Sequence, residues 1–264
     1  IPAGSARQDR NGRGECLRGL HRSKDHSPRN ELVLPACSRA RPRVRPASGS
    51  PDPDAGVAPA DTNQQVYLQI TRGVALRDHV MPADITPTVF ALASAMKLPT
   101  PEQRARGVAC VSADDFRWKK AHIKSVSLLG AVFARQISAD VGAVETVMFR
   151  DGFLSEAAAS NVWVVKDGTV MGPPKDHLVL EGIRYGLIEA FCRDQAIPFT
   201  LRRIRRDEVL EADELLLSSA TKEVLPITTL DGLPVGRGEG RGRPGPVYAL
   251  LYQAYQQAKK GMSR

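Results

Sequence analysis

Aromatic side chains are missing from the first quarter of the chain: no Phe, Tyr or Trp occurs before Tyr67. Arginine, proline, serine and glycine recur there instead, as in Ser38-Arg39-Ala40-Arg41-Pro42-Arg43-Val44-Arg45-Pro46. A stretch so poor in large apolar side chains has little with which to build a core. Residues 1–66 therefore read as a low-complexity segment, disordered or foreign to the fold that follows. Long apolar runs are missing as well, none approaching the roughly 20 residues that cross a bilayer. The opening Ile1-Pro2-Ala3-Gly4 lacks the charged-then-apolar order of a signal peptide. No membrane association is expected, and a cytoplasmic location is.

Cysteine is scarce. Cys16, Cys37, Cys110 and Cys192 show no paired spacing, which argues against a zinc site or a disulfide framework and leaves free structural thiols. The formal net charge of +8 raises nucleic acid as a partner. Arginines cluster only in the first 45 residues and at Arg202, Arg203, Arg205 and Arg206. Asp207, Glu208, Glu211, Asp213 and Glu214 follow that second cluster and neutralise it, and no aromatic interleaving marks a stacking platform. Nucleic-acid binding is not expected. Gly-x-Ser-x-Gly, His-Glu-x-x-His and regular repeats are absent. The glycine-rich run from Gly236 to Gly242 follows no strand-to-helix unit and precedes Pro244, so it reads as a flexible loop and not a phosphate cradle.

From Tyr67 onward apolar segments alternate with amphipathic ones. The turn pairs Asp151-Gly152, Asp167-Gly168 and Asp231-Gly232 punctuate strand-like runs. Strands are expected over 66–72, 108–112, 145–149, 161–166, 169–172, 198–203, 214–218 and 227–230. Helices are expected over 127–140, 183–195 and 247–260, with a helical turn at 207–211. In the first helix Leu128, Leu129, Val132, Phe133 and Ile137 share a face and read as one buried stripe. Many short strands without a regular βαβ alternation give an α+β class.

Several residues have chemical potential. Lys124 lies between Ile123 and the apolar helix, where partial desolvation would favour the neutral amine that attacks an aldehyde; read alone, a lysine before a helix is more often a solvated surface residue. Arg77 and His79, two apart in an extended segment, point to one side and can clasp one carboxylate; alone, they are a charged loop. Glu156 precedes a strand, as an ordinary turn carboxylate does. Gly182-Ile183 precedes a helix whose unsatisfied N–H groups favour an anion.

Taken together, Arg117-Trp118-Lys119-Lys120-Ala121-His122-Ile123-Lys124-Ser125, Leu154-Ser155-Glu156-Ala157-Ala158-Ala159-Ser160-Asn161-Val162 and Ser218-Ser219-Ala220-Thr221-Lys222-Glu223-Val224-Leu225-Pro226 resemble the branched-chain-type, fold type IV aminotransferases in order and spacing. The run Arg72-Gly73-Val74-Ala75-Leu76-Arg77-Asp78-His79 is similar to the α-carboxylate trap of the D-amino-acid transaminase branch.

That resemblance implies a cofactor, pyridoxal 5′-phosphate, and a cofactor-binding large domain over 106–264, with 67–105 as the remainder of a small N-terminal domain and its linker. It implies a homodimer that exchanges an amino group between a D-amino acid such as D-alanine and a 2-oxo acid such as 2-oxoglutarate. Lys124 would hold the cofactor and move the proton between the substrate α-carbon and the cofactor, Glu156 would keep the pyridine nitrogen protonated, and Arg77 and His79 would take the α-carboxylate.

The phosphate would rest on the amides of Ile183, Arg184 and Ala220, the Ser219 hydroxyl and the Arg184 guanidinium. Arg184 and Ala220 stand where relatives commonly carry Thr, and Ala157, Ala158 and Ala159 where they carry Gly and Ser. The family's N-terminal arginine and tyrosine have no match before Tyr67, so weak cofactor binding and an inactive chain are expected of the sequence as written. Two other readings stay open: an aminodeoxychorismate-lyase-like or branched-chain L-amino-acid enzyme, and an inactive homologue acting as a binding module. No metal is called for.

Overall fold

The computed structural model describes residues 63–262. Expectations that fall on residues 1–62, Cys16 and Cys37 among them, lie outside the described residues.

Strand β1 (Gln64–Thr71) pairs antiparallel with β2 (Thr88–Ala95) in a separate two-stranded sheet, Gln64 opposite Ala95 and Thr71 opposite Thr88. The sequence reading missed β2. Its Val89, Phe90 and Leu92 put apolar residues on both faces, so no alternation marks it. Both strands are exposed along nearly their whole length.

Helix α1 (Pro101–Arg106), also missed, is set by local chemistry alone. Thr100 and Gln103 form a reciprocal capping box, Pro101 opens the helix, and Gly107 closes it at φ 77°.

The main sheet takes nine strands: β3 (Val108–Asp114), β4 (Glu145–Arg150), β5 (Phe153–Ala157), β6 (Asn161–Lys166), β7 (Thr169–Gly172), β8 (Phe199–Leu201), β9 (Glu214–Ser219), β10 (Glu223–Leu230) and β11 (Leu233–Pro234). Their order is β5-β4-β3-β10-β9-β6-β7-β8, with β11 beside β10. Pairs β3–β4, β3–β10 and β7–β8 are parallel and the others antiparallel. The outermost strand β5 meets the chain just beyond β8 through a Phe153–Arg205 bridge, with the Leu154 N–H donating to the Ile204 carbonyl at 2.8 Å, so the sheet curls back on itself. The Asp-Gly pairs join β4 to β5, β6 to β7 and β10 to β11 as expected; Asp151 at φ 52° and Gly152 at φ 79° show the left-handed geometry that tight hairpins need.

Period-two alternation sorts the core. Val162 and Val164 of β6 and Leu215 and Leu217 of β9 face one cluster with Val147, Phe149, Leu154, Leu225 and Ile227. Trp163, Val165 and Leu216, one residue out of step, face the other side, where α3 (Arg184–Asp194) and α5 (Pro246–Met262) pack with Tyr185, Ile188 and Leu251. A short helix α4 (Arg206–Leu210) and a 3-10 turn at Gly238–Gly240 complete the elements. Arg202 pairs with Glu208 and Arg205 with Asp207, the local neutralisation expected of that basic run. Among the described residues no helix is long and apolar enough to cross a membrane.

Helix α2 (Leu129–Asp140) corrects the sequence reading. Its buried residues are Ala134 and Ser138, with Ala134 packed on Met148 and Ala158, while Leu129 is 66% and Phe133 58% exposed and Leu128, Val132 and Ile137 are exposed too. The apolar stripe was correctly located and wrongly placed inside. Small residues let this helix sit close to β4 through its other face, which a hydrophobic count overlooks.

Candidate active site

A cavity of about 1240 Å³ opens against the ends of β5, β9 and α3 and the segment that precedes α2. Lys124, Glu156, Ile183, Arg184, Ser219 and Ala220 all line it, so the structure brings six expected site residues to one place. Arg77 and His79 are not among its lining residues. They lie in the exposed connection between β1 and β2.

Glu156 is aimed by a bulge. Pairing of β4 with β5 shifts between Val147–Ala157 and Phe149–Leu154, which leaves an extra residue on β5 at Ser155–Glu156 and turns the carboxylate toward the cavity. One carboxylate oxygen accepts from Arg117 Nη1 at 2.9 Å; the other accepts from Asn161 Nδ2 and the Leu180 N–H, each at 3.2 Å. Burial pushes the Glu156 carboxyl up to about 7, against the pull of Arg117 and the Leu180 N–H.

Arg117 is itself held by Asp115, which accepts from Nε at 2.9 Å and Nη2 at 3.0 Å, and Asp115 also accepts from Ser155 Oγ at 2.8 Å and pairs with Arg150 at 3.1 Å. Burial opposes the Asp115 charge, but Arg117, Ser155 and Arg150 together hold its carboxyl below the usual range. Such a network keeps a carboxylate oriented in a low-dielectric wall, where it can hold a proton on a neighbouring base.

Asp115 and Asn161 were not singled out from sequence. Asp115 stands two residues before Arg117, a spacing at which a carboxylate can close onto a guanidinium, and Asn161 lies in the Leu154-to-Val162 segment, five residues after Glu156. Those were the available signals.

The start of α3 forms a second wall. A Cβ on Gly182 would lie 2.3 Å from Asn161 Oδ1, so any other residue there would have to displace the Asn161 side chain that donates to Glu156. Across from it, the Ala220–Lys222 turn joins β9 to β10, closed by the Lys222 N–H donating to Ser219 Oγ at 3.0 Å, which leaves the hydroxyl proton free to donate outward. Among the described residues, the N–H groups of Ile183, Arg184, Ala220 and Thr221 meet no acceptor. A cavity wall with this set of unspent donors fits an anionic oxygen cluster such as a phosphate monoester. Thr221 was not foreseen.

Lys124 departs from expectation in one respect. It reaches the cavity but is exposed, as are Ile123, Trp118 and Val126 around it. The desolvation expected of its ammonium is therefore not provided by the described residues. Among the described residues nothing covers the apolar neighbours that would exclude water. Cys110 and Cys192 are free and buried, and burial pushes the Cys110 thiol up to about 12, so it is an inert structural group as the spacing implied.

Comparison with known proteins places this arrangement in a class. Residues 55–230 match the family described as amino-transferase class IV, beginning within the segment that composition alone had set aside. The D-alanine aminotransferase of Bacillus licheniformis is 36% identical over 200 residues, covering 74% of this chain and 69% of the relative. That of Staphylococcus epidermidis is 34% identical over 195 residues, covering 74% and 67%. The fold agrees with that of the branched-chain amino acid aminotransferase of Escherichia coli: TM-score 0.64 at 23% identity, over 73% of this chain and 64% of that one. The chain belongs to the class IV aminotransferases, and it matches about two thirds of the length of these relatives.

Proposed function

We propose that this protein transfers an amino group from a D-amino acid such as D-alanine to a 2-oxo acid such as 2-oxoglutarate, using pyridoxal 5′-phosphate. The observation that carries the reading is the meeting of Lys124, Glu156 and the unspent donors at Ile183, Arg184, Ala220 and Thr221 around one cavity, in a chain similar to D-alanine aminotransferases. When bound, the cofactor supplies an aldehyde and a ring that takes up the electron pair left by the departing α-hydrogen. Lys124 is the amine that holds it and the base that carries the proton between carbon centres. Glu156, steadied by Arg117 and Asn161, holds the proton of the ring nitrogen. The donors around Ser219 and the start of α3 hold the phosphate.

Arg77 and His79 are assigned to the substrate α-carboxylate. Neither lines this chain's cavity, so the role requires the β1–β2 connection to approach a site from outside, by folding over it or by reaching the cavity of a second copy. A homodimer is part of the proposal, supported by the exposed apolar residues of α2 and of the hairpin.

The test is a transamination assay with added cofactor, offering D-alanine, L-alanine, L-leucine and L-valine against 2-oxoglutarate. D-alanine should be preferred, and Arg77→Ala should raise its KM roughly ten- to hundredfold, the cost of a charge-assisted pair. Preference for L-leucine or L-valine would overturn the D-specific reading in favour of the branched-chain one.

A further inference from the structure

Arg184 opens α3 on the wall of the cavity, yet its guanidinium is spent on protein. Nε donates to the Ser219 carbonyl at 3.4 Å and Nη2 to the Ala220 carbonyl at 3.3 Å, while the guanidinium carbon lies 4.9 Å over the Tyr255 ring of α5. The side chain thus spans three elements that are far apart in sequence: the first turn of α3, the turn after β9, and the last helix.

A trans peptide sets its carbonyl opposite the N–H of the same unit. Drawing the Ser219 and Ala220 carbonyls toward Arg184 therefore turns the N–H groups of Ala220 and Thr221 away from it, and these are two of the donors that meet no acceptor among the described residues. Behind the turn, Glu223 at φ 59° is fixed by Arg104 and Lys259, each at 2.7 Å, and by Gln256 at 3.1 Å. Its far end is anchored, so the Arg184 side is what sets the tilt of the turn.

We infer that Arg184 is a positioning residue of the anion cup, holding the Ala220–Thr221 amides in donor orientation from a platform on Tyr255, and not itself the charge that meets the phosphate. The inference rests on the proposed cofactor site. A direct ionic partner would have to be charged and free; a fork on two carbonyls has to be planar and bidentate, which lysine is not.

Arg184→Lys and Arg184→Met separate these cases, with melting of the cofactor-free protein and the ratio of affinities for pyridoxal 5′-phosphate and pyridoxal as readouts. Both variants should lower the cofactor-free melting temperature by about 2–4 °C, the shift for a change near 1 kcal/mol in a chain of this size. Both should also shrink the phosphate-dependent affinity ratio roughly tenfold, for donors left misaligned. The inference is overturned if Arg184→Lys keeps the wild-type ratio while Arg184→Met loses it, as a direct charge contact requires, or if neither variant moves the cofactor-free melt. Failure of the parent reading shows separately: wild-type protein that takes up no pyridoxal 5′-phosphate removes the site, and this inference with it, whatever the variants do.

Discussion

The two sides of the cavity are built differently. On the Glu156 side the carboxylates are buried and partnered: Arg117 bridges Asp115 and Glu156, Arg150 and Ser155 complete Asp115, and Asn161 and the Leu180 N–H complete Glu156, while Nε and Nη1 of Arg150 stay buried without a partner among the described residues. On the Lys124 side the lysine is exposed and its apolar neighbours Trp118, Ile123, Val126 and Leu128 are exposed with it. The first wall is finished by its own chain because a buried charge without a partner would cost several kcal/mol and the sheet can supply partners locally. The second has its lysine at the cavity but, among the described residues, no low-dielectric surroundings for it, since apolar surface left in water excludes nothing. A preorganised acid–base wall and a lysine wall that needs covering are separable parts of one site.

Breaking the open wall should have the largest effect on chemistry and almost none on folding. Lys124→Ala should abolish borohydride trapping of the cofactor and all transamination, while unfolding free energy stays within about 0.5 kcal/mol of wild type, as for exposed substitutions generally. Mass spectrometry of the reduced protein checks the first part and denaturant melts the second. Continued trapping in the variant would move the role to Lys119 or Lys120.

Breaking the closed wall should reverse that pattern. Arg117→Met strands Asp115 and Glu156 in a buried setting, and losing one partner of such a network costs about 3–5 kcal/mol. Denaturant unfolding should show a loss of that size, and a change under about 1 kcal/mol would mean that Glu156 is oriented by Asn161 and the backbone instead.

The same contrast explains what could be read from sequence. Lys124, Glu156 and the start of α3 could be singled out because each sits inside a short local pattern, and the Asp-Gly turns were legible for the same reason, whereas the strands β5 and β11 that two of those turns lead into were not foreseen. What pairs with what was not: Arg117 reaches Glu156 across 39 positions and Lys222 reaches Glu145 across 77, distances over which one sequence has no signal. Periodicity found the apolar stripe of α2 but could not say whether its own chain covers it, and placed it inside. Arg77 and His79 show the same limit, since an i, i+2 pair predicts a shared side and says nothing of which cavity that side meets.

The finest test of the closed wall is its response to pH in the cofactor-free protein. Burial raises the Glu156 carboxyl from an ordinary 4.5 to about 7. Between those values the folded state holds a proton that the unfolded chain has lost, so the folded state binds more protons and stability must fall as pH rises. The contribution is fully present below about 4.5 and is lost as pH climbs through about 7. Its full size is on the order of 3 kcal/mol, from the free-energy equivalent of a pKa shift. Glu156→Gln removes the titration. Its amide nitrogen would face the Leu180 N–H or Asn161 and so carry a fixed penalty, but that penalty does not vary with pH and leaves the slope as the readout. Unfolding free energies measured at steps from about pH 5 to about pH 8 should therefore decline for wild type relative to the variant, the two curves converging or crossing at the alkaline end. Parallel curves would mean that Arg117 keeps Glu156 ionised throughout and that the wall is set by the ion pair, not by burial.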